Sequence, residues 1–193
     1  INGFSHTHLS GTGCGDYGDV LLMPTVGRQD YHAMGKKSQQ MAYASPFSHG
    51  REKAEPGYYS VFLDRYGVQA ELTSTKRAAI HRYTFPKSGK AGFILDLDYS
   101  LQRQKNEEMK LEVISDTEIR VHKKTVYWAF DQYINFYAKF SKPFTYTMVT
   151  DSMALDEGEP LLPTAKVLLQ FQTEKDEQVM VKVGVSAVDM DGA

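Results

Sequence analysis

The sequence predicts an all-β protein that forms one domain, a large antiparallel β-sandwich. Two observations predict this class: apolar residues alternate along many short segments, and turn residues separate those segments at regular intervals. A third observation is the supply of aromatic residues, which make up 12% of the chain and suit the faces of β-strands. With 193 residues the chain is long enough to build one substantial core.

Strand candidates follow one another closely in the first half of the chain. An apolar run over residues 19–24, ended by Pro24, predicts a strand near the N-terminus. Residues 64–67, 75–78 and 86–91 have turn composition. The further strand candidates that these turns separate are residues 58–63, 68–75, 80–85 and 92–99.

The second half continues the pattern. In the segment 179–188 the valines at 179, 181, 183 and 185 share one face, as in a half-buried strand. Residues 102–112 are polar and predict a long hairpin loop or one exposed turn, while the prolines and glycine of 152–165 predict a loop. The other strand candidates are residues 111–115, 117–122, 127–130, 133–140, 145–149 and 166–171.

Composition excludes several classes of partner. Lys and Arg number 22 against 24 Asp and Glu, so the net charge of −2 argues against nucleic acid or an anionic membrane. No apolar run reaches membrane-spanning length, and a single cysteine excludes an internal disulfide. Residues 1–8 lack the regions of a signal peptide and an initiator methionine, which predicts a processed chain or an excised fragment.

Residues 3–19 concentrate two histidines, the only cysteine, two aspartates and several glycines. Gly13, Gly15 and Gly18 match a dinucleotide-binding pattern, but the strand-like run that follows replaces the helix that such a loop needs, so we reject this interpretation. Cys14 lacks an orienting partner for a nucleophile, and a lone cysteine is more often a small buried apolar residue.

The spacing of His6 and His8 leaves two interpretations open. On a strand they would point the same way, as in cupin-type metal sites, with Asp16, Asp19 or His49 as a third ligand. The alternative, which we prefer, is that both histidines form hydrogen bonds to backbone groups or to a ligand without metal.

A second polar cluster precedes the strand at 58–63. Glu52 and Glu55 are either a carboxylate pair or solvated charges on a connection shaped by prolines and glycine. Trp128, the only tryptophan, is expected in the core, although a platform for a sugar ring would use the same residue type.

Four blocks resemble a known family: residues 3–27, 43–86, 92–101 and 181–193. With the motifs FSHTHLSGTG and EKAEPGYY, they are similar to the N-terminal domain of family 92 glycoside hydrolases, the bacterial α-mannosidases. The resemblance covers nearly the whole chain in the same block order. Residues 117–130 depart from it, because they carry less glycine before Trp128 than the family pattern has.

The resemblance implies a galactose-mutarotase-like supersandwich that packs against a C-terminal α/α-toroid domain. It implies an exo-acting, calcium-dependent, inverting α-mannosidase of α-1,2 type, with the catalytic carboxyls and most calcium ligands on the toroid. We therefore expect this chain to lack that domain, to be truncated at both ends, to bind no metal and to be inactive alone. Truncation would also expose an apolar face.

The same resemblance implies a mannose-containing glycan as substrate and a location outside the cytoplasm. The residues that we predict to contact substrate are His6, His8, Cys14, Asp16, Ser48, His49, Glu55 and Trp128. Two alternatives remain: a self-contained carbohydrate-binding module, and a metal-dependent cupin-like enzyme that uses His6 and His8.

Overall fold

The computed structural model describes residues 1–9, 13, 15–28, 41–101, 104–151 and 164–193. Two antiparallel β-sheets pack face to face in these residues, which confirms the predicted all-β sandwich. One 3₁₀ turn spans His49–Arg51, and none of the described helical structure is long and apolar enough to cross a membrane. The strands are β1 (Leu21–Val26), β2 (Glu52–Glu55), β3 (Tyr58–Leu63), β4 (Val68–Ser74), β5 (Ala78–Phe85), β6 (Ser88–Asp96), β7 (Lys105–Val113), β8 (Glu118–Val126), β9 (Gln132–Phe140), β10 (Thr145–Asp151), β11 (Thr164–Thr173) and β12 (Glu177–Ser186).

The two sheets differ in size. The smaller has the order β1-β6-β11-β10, and the larger has the order β2-β3-β4-β5-β12-β9-β8-β7. Strand β12 pairs with both β5 and β9, so the last strand of the chain lies in the middle of the larger sheet. This position explains its sequence: Val179 and Val181 are fully buried toward the core, while Lys182 on the other face is exposed.

Aromatic rings join the two sheets in the core. Phe93 of β6 is fully buried and meets rings from both sheets. Its ring centroid lies 5.0 Å from that of Tyr83, 5.7 Å from Phe85, 5.5 Å from Phe140 and 5.6 Å from Phe171. These separations are typical of aromatic pairs that pack edge-on or tilted. Aromatic side chains, which are frequent in the sequence, therefore fill space between the two sheets.

The prediction of a loop or turn over residues 102–112 is wrong. Most of this segment forms β7, which pairs with β8 at the edge of the larger sheet. Its half-buried side chains, Met109, Leu111 and Val113, alternate and pack against the core. The segment is polar because its outer face and its free edge both meet solvent. Residues 152–163 of the other predicted loop lie outside the described residues.

The predicted strand over residues 127–130 is also wrong, and so is the core position expected for Trp128. These residues form a bend between β8 and β9, in which Tyr127 N–H donates to the Ala129 carbonyl at 3.2 Å. Trp128 is 65% exposed and Phe130 is 80% exposed. Because the bend leaves the sheet, these aromatic side chains project from the sandwich instead of filling it.

Candidate functional site

A groove of about 910 Å³ lies over one end of the inner face of the larger sheet. Tyr59, Leu72 and His81 form part of its floor and lie opposite one another in register on β3, β4 and β5. The lining also includes residues 5–8 and the β4–β5 turn at residues 75–77. The groove therefore lies where the N-terminal segment crosses the sheet.

The N-terminal segment pairs with the chain that leads into β1. Phe4 and Leu22 exchange backbone hydrogen bonds of 2.9 Å, and His6 N–H donates to the Asp19 carbonyl at 3.0 Å. Gly18 turns the chain at a φ of 86°, and a side-chain Cβ there would lie 2.6 Å from Leu101 Cγ. This glycine is needed for a tight turn. Strand β1 follows it where a nucleotide-binding loop would need a helix, which agrees with our rejection of that interpretation.

His6 and His8 both line the groove but differ in environment. His6 is half-buried, and its Nδ1 lies 2.6 Å from the Val20 carbonyl oxygen, while His8 is exposed. The two side chains do not share the equivalent strand positions that a cupin-type pair requires, because this segment is not a regular strand. His6 thus makes a hydrogen bond to a backbone group, as one of the two interpretations expects.

A third histidine of the groove, His81 of β5, lies beside His6. The two imidazole rings are stacked, with centroids 5.1 Å apart and planes 13° from parallel, and the Phe136 ring meets His6 edge-on at 4.7 Å. Burial lowers the pKa of His6 to about 4, and burial together with the neighbouring His6 lowers the pKa of His81 to about 3. Both rings are therefore neutral at physiological pH.

A buried ion pair fastens the N-terminal segment to the sheet. Lys123 Nζ of β8 lies 2.7 Å from Asp19 Oδ1, and both side chains are fully buried. Thr7 supports the same aspartate: its hydroxyl donates to Asp19 Oδ2 at 3.2 Å and accepts the Asp19 N–H at 2.8 Å. The wall of the groove is therefore attached to β8 through Asp19.

Asp16 is buried and faces protein groups. Its Oδ1 accepts hydrogen bonds from Tyr17 N–H at 2.9 Å and from the Gln104 side chain, and its Oδ2 accepts one from Ala129 N–H at 3.3 Å. Ala129 belongs to the bend that carries Trp128. Asp16 therefore connects the glycine-rich segment to the exposed aromatic side chains.

Ser48, His49 and Glu55 lie on the second polar segment. Ser48 Oγ accepts the Gly50 N–H at 3.3 Å, and the exposed His49 contacts Glu52 Oε2 through Nδ1 at 2.6 Å. Tyr59, on the groove floor, donates its hydroxyl to Glu52 Oε1 at 2.6 Å. Hydrogen bonds from Tyr59 and His49 lower the pKa of Glu52. The chain His49–Glu52–Tyr59 thus leads from an exposed loop to the groove.

Glu52 and Glu55 do not form a carboxylate pair. They stand three residues apart on β2 and so point to opposite faces, and Glu55 lies 2.9 Å from Lys53 Nζ. Glu55 itself lines the groove. Within the described residues, no three His, Cys, Asp or Glu side chains come together as a set of metal ligands.

The structure thus brings together His6, His8 and Glu55 in one groove, with Asp16 and Trp128 as a second, connected pair. Cys14 lies outside the described residues. Sequence reasoning missed His81, although its alternation with Tyr83 and Phe85 places it on the buried face of a strand. It also missed Lys123, whose buried position no local pattern indicates.

Solved structures and one sequence relative resemble this chain. The family GH92 alpha-mannosidase BT3965 from Bacteroides thetaiotaomicron is 35% identical, with a TM-score of 0.86 over 100% of this chain and 27% of its own. The GH92 family glycosyl hydrolase ccman5 is 25% identical, with a TM-score of 0.77 over 99% of this chain and 26% of its own. An uncharacterized secreted glycosidase from the fungus Arthroderma benhamiae is 36% identical over 87 residues, which are 45% of this chain and 11% of that protein.

The chain therefore spans about a quarter of the length of these solved relatives. The resemblance noted in the sequence is confirmed by the profile of the glycosyl hydrolase family 92 N-terminal domain, which matches residues 1–186. On this match the chain belongs to the N-terminal domain family of the family 92 glycosyl hydrolases.

Proposed function

We propose that this chain acts as the N-terminal domain of a longer α-mannosidase and that its groove helps to bind a terminal mannose of a glycan. The observation that carries the proposal is the likeness to an alpha-mannosidase of family GH92 over the full chain, at 35% identity. The longer enzyme is exo-acting, inverting and calcium-dependent, prefers α-1,2 linkages, and works outside the cytoplasm. The secreted fungal glycosidase among its relatives supports this location.

The groove has the features that sugar recognition requires. Sugar sites combine fixed polar groups with an apolar or aromatic surface. Here His6, His8 and Glu55 supply polar groups beside Tyr59 and Leu72. These side chains lie against a paired β-sheet, so they are positioned before a ligand arrives, which reduces the entropy lost on binding.

Trp128 supplies a second kind of contact. Its ring is 65% exposed, and the hydrogen bond from Ala129 N–H to the buried Asp16 supports the bend that carries it. An exposed indole with a supported backbone presents a flat apolar face on which a sugar ring can stack. Phe130 and Tyr127 widen this surface, which in the longer protein faces the glycan and the catalytic domain.

The catalytic carboxyls belong to the other domain. Inverting hydrolysis uses two carboxyl groups about 6.5–9.5 Å apart with a water between them. Among the described residues that line the groove, Glu55 is the only carboxylate, so this groove does not hold such a pair. Calcium, when bound in the longer enzyme, polarises and orients the substrate. No described residue of this chain is assigned to it.

Kinetics of the longer protein test the proposal. Wild type is expected to hydrolyse α-1,2-mannobiose and to release β-mannose first, and a chelator is expected to abolish this activity until calcium is restored. His8→Ala is expected to lower kcat/KM about three- to tenfold through one lost polar contact. Trp128→Ala is expected to lower it by a similar or greater factor through lost stacking.

His122→Ala is the matched control, because His122 lies on β8 outside the groove and bonds to Asn135. If His8→Ala and Trp128→Ala both fold and both show wild-type kinetics, the proposed substrate contacts of the site are contradicted. A longer protein that does not hydrolyse α-1,2-mannobiose would contradict the proposed α-mannosidase activity. Calorimetric titration of this chain alone with mannobiose tests the alternative of a self-contained binding module. No heat of binding would contradict that alternative.

A further inference from the structure

The outer edge of β10 has no partner strand within the described part of the chain. The smaller sheet has the order β1-β6-β11-β10, so β10 pairs with β11 on one side only. Among the described residues, none of the backbone hydrogen bonds outside the sheets involves residues 145–151. The N–H and C=O groups of alternate residues of β10 therefore point away from the sheet and are open to a further strand.

The other three sheet edges are protected against the addition of a strand. Phe4 exchanges backbone hydrogen bonds with Leu22 and so covers part of the β1 edge, and Pro24 of β1 has no N–H to donate. Charged residues make up most of β2, which reads EKAE, and most of β7, which reads KNEEMKLEV. Charges and prolines of this kind prevent unwanted strand pairing.

β10 has none of these protections. Residues 145–150 read TYTMVT, without charge, proline or glycine, and the pairing of β10 with β11 contains no bulge. Threonine, tyrosine and valine are also residues that favour strands. An uncharged and regular edge of this composition is a template for a further strand.

The apolar side chains of β10 are also uncovered. Tyr146 lies opposite Leu169 of β11, so the two side chains share one face of the sheet. Leu169 is fully buried, and Phe171, two positions further, packs its ring against the larger sheet, which identifies this face as the inner one. Tyr146 is nevertheless 52% exposed, and Met148 on the same face is 45% exposed. The inner face of the smaller sheet therefore extends beyond the cover that the larger sheet provides.

We propose that β10 is the pairing edge of a two-fold dimer, in which the β10 strands of two copies run antiparallel and join the two smaller sheets into one. An axis at Met148, the middle residue of Thr145–Asp151, pairs the whole strand with its copy. The two Met148 side chains then lie side by side, and Tyr146 of each copy lies diagonally across from Met148 of the other. Methionine and aromatic side chains attract each other at this range.

The distribution of charge favours a second copy as the occupant. Pairing about Met148 sets no charged residue opposite another, because Asp151 of each copy comes opposite Thr145 of the other. The two Asp151 positions are about 20 Å apart along the paired strands, well beyond the screening length of roughly 8 Å. The net charge of −2 per chain adds little repulsion. Because the other three edges are protected, association stops at two copies.

Sedimentation velocity of the longer protein and of this chain tests the pairing. One short strand buries less surface than a standard interface, so we expect a monomer–dimer equilibrium with a Kd on the order of 10 µM. Met148→Lys sets two like charges side by side at the axis and is expected to raise Kd at least about tenfold. Ile80→Lys is the matched control, because Ile80 is 42% exposed on β5 of the larger sheet, and it is expected to leave Kd unchanged.

Mixing two variants tests the two-fold geometry. Met148→Glu alone is expected to be monomeric like Met148→Lys, whereas an equal mixture of the two is expected to dimerise, because opposite charges then meet at the axis. Hydrogen exchange supplies a second measurement. The amides of residues 145–150 that point away from β11 are expected to be protected at high protein concentration and not at low concentration. Should Met148→Lys fail to fold, this exchange pattern in the wild type is decisive by itself.

A wild type that stays monomeric up to about 100 µM overturns the proposal, and so does a dimer that Met148→Lys leaves intact or a mixture that stays monomeric. A longer protein that is monomeric with protected β10 amides also overturns it, because its own polypeptide then covers the edge. The dimer does not depend on the proposed function. An active longer protein that is monomeric contradicts the dimer alone, whereas a dimer without mannosidase activity contradicts the proposed function alone.

Discussion

Replacing Lys123 with methionine is expected to lower the free energy of unfolding by about 3–5 kcal/mol, because it leaves the Asp19 carboxylate buried without its counter-charge. Lys123 Nζ lies 2.7 Å from Asp19 Oδ1, and both side chains are fully buried. Burying an unpaired charge costs far more than losing a surface ion pair, which is worth at most about 1 kcal/mol. Urea denaturation at pH 7 measures the change.

Two further variants test whether the loss of stability comes from the unpaired buried charge or from the substitution of lysine by methionine itself. Lys182→Met makes the same substitution at an exposed position of β12 and is expected to change stability by less than about 0.5 kcal/mol. Asp19→Asn, added to Lys123→Met, removes the unpaired charge and is expected to recover part of the loss. A cost for Lys123→Met no greater than that of Lys182→Met would show that the ion pair does not hold the N-terminal segment.

Acidification from pH 7 to pH 5 is expected to lower the free energy of unfolding by on the order of 4 kcal/mol, through His6 and His81 together. Their folded pKa values, about 4 and about 3, lie below the ordinary value of 6.5. Between these limits the unfolded chain binds more protons than the folded chain. The stabilisation is therefore complete above about pH 6.5 and is lost as the pH falls toward 4.

Urea denaturation across this pH range measures the effect, and the double variant His6→Phe, His81→Phe supplies the control. The double variant is expected to show a much flatter dependence between pH 7 and pH 5. Glu52, Glu71, Glu118 and Glu177, whose pKa values are lowered by hydrogen bonds, act mainly below about pH 4.5 and so add little to the change in this window. Equal stability of the wild type at pH 7 and pH 5 would contradict neutral burial of the pair.

The fold was predictable wherever apolar residues alternate along a single strand. The alternation of Val179, Val181 and Val183 identifies β12, because a strand buried on one face repeats every two residues. The same rule failed at β7, whose outer face and free edge are solvated, so its three apolar residues are outnumbered by charges. At residues 127–130 the aromatic content suggested a strand, but exposed aromatic side chains on a bend have the same composition.

The site was predictable only in part, because many of its contacts join residues that are far apart along the chain. The histidines of the N-terminal motif are visible in the sequence because they lie close together along the chain. The contacts of His6 with His81, and of Asp19 with Lys123, join residues 75 or more positions apart, and only the pairing of strands brings them together. Asp16 is predicted to contact substrate; in the structure it is buried and accepts hydrogen bonds from Gln104 and Ala129, partners that no local sequence pattern indicates.

A crystal structure of the longer protein with a non-hydrolysed mannose mimic is the most direct test of the central claim, which is that this groove receives the sugar. The expected result is a sugar ring in the groove beside residues 5–8, with hydroxyl groups within about 3.2 Å of the exposed side chains of His8 and Glu55. The sugar should also lie between this domain and the catalytic domain. A mimic that is bound entirely within the catalytic domain, with His6, His8 and Glu55 untouched, would contradict the claim.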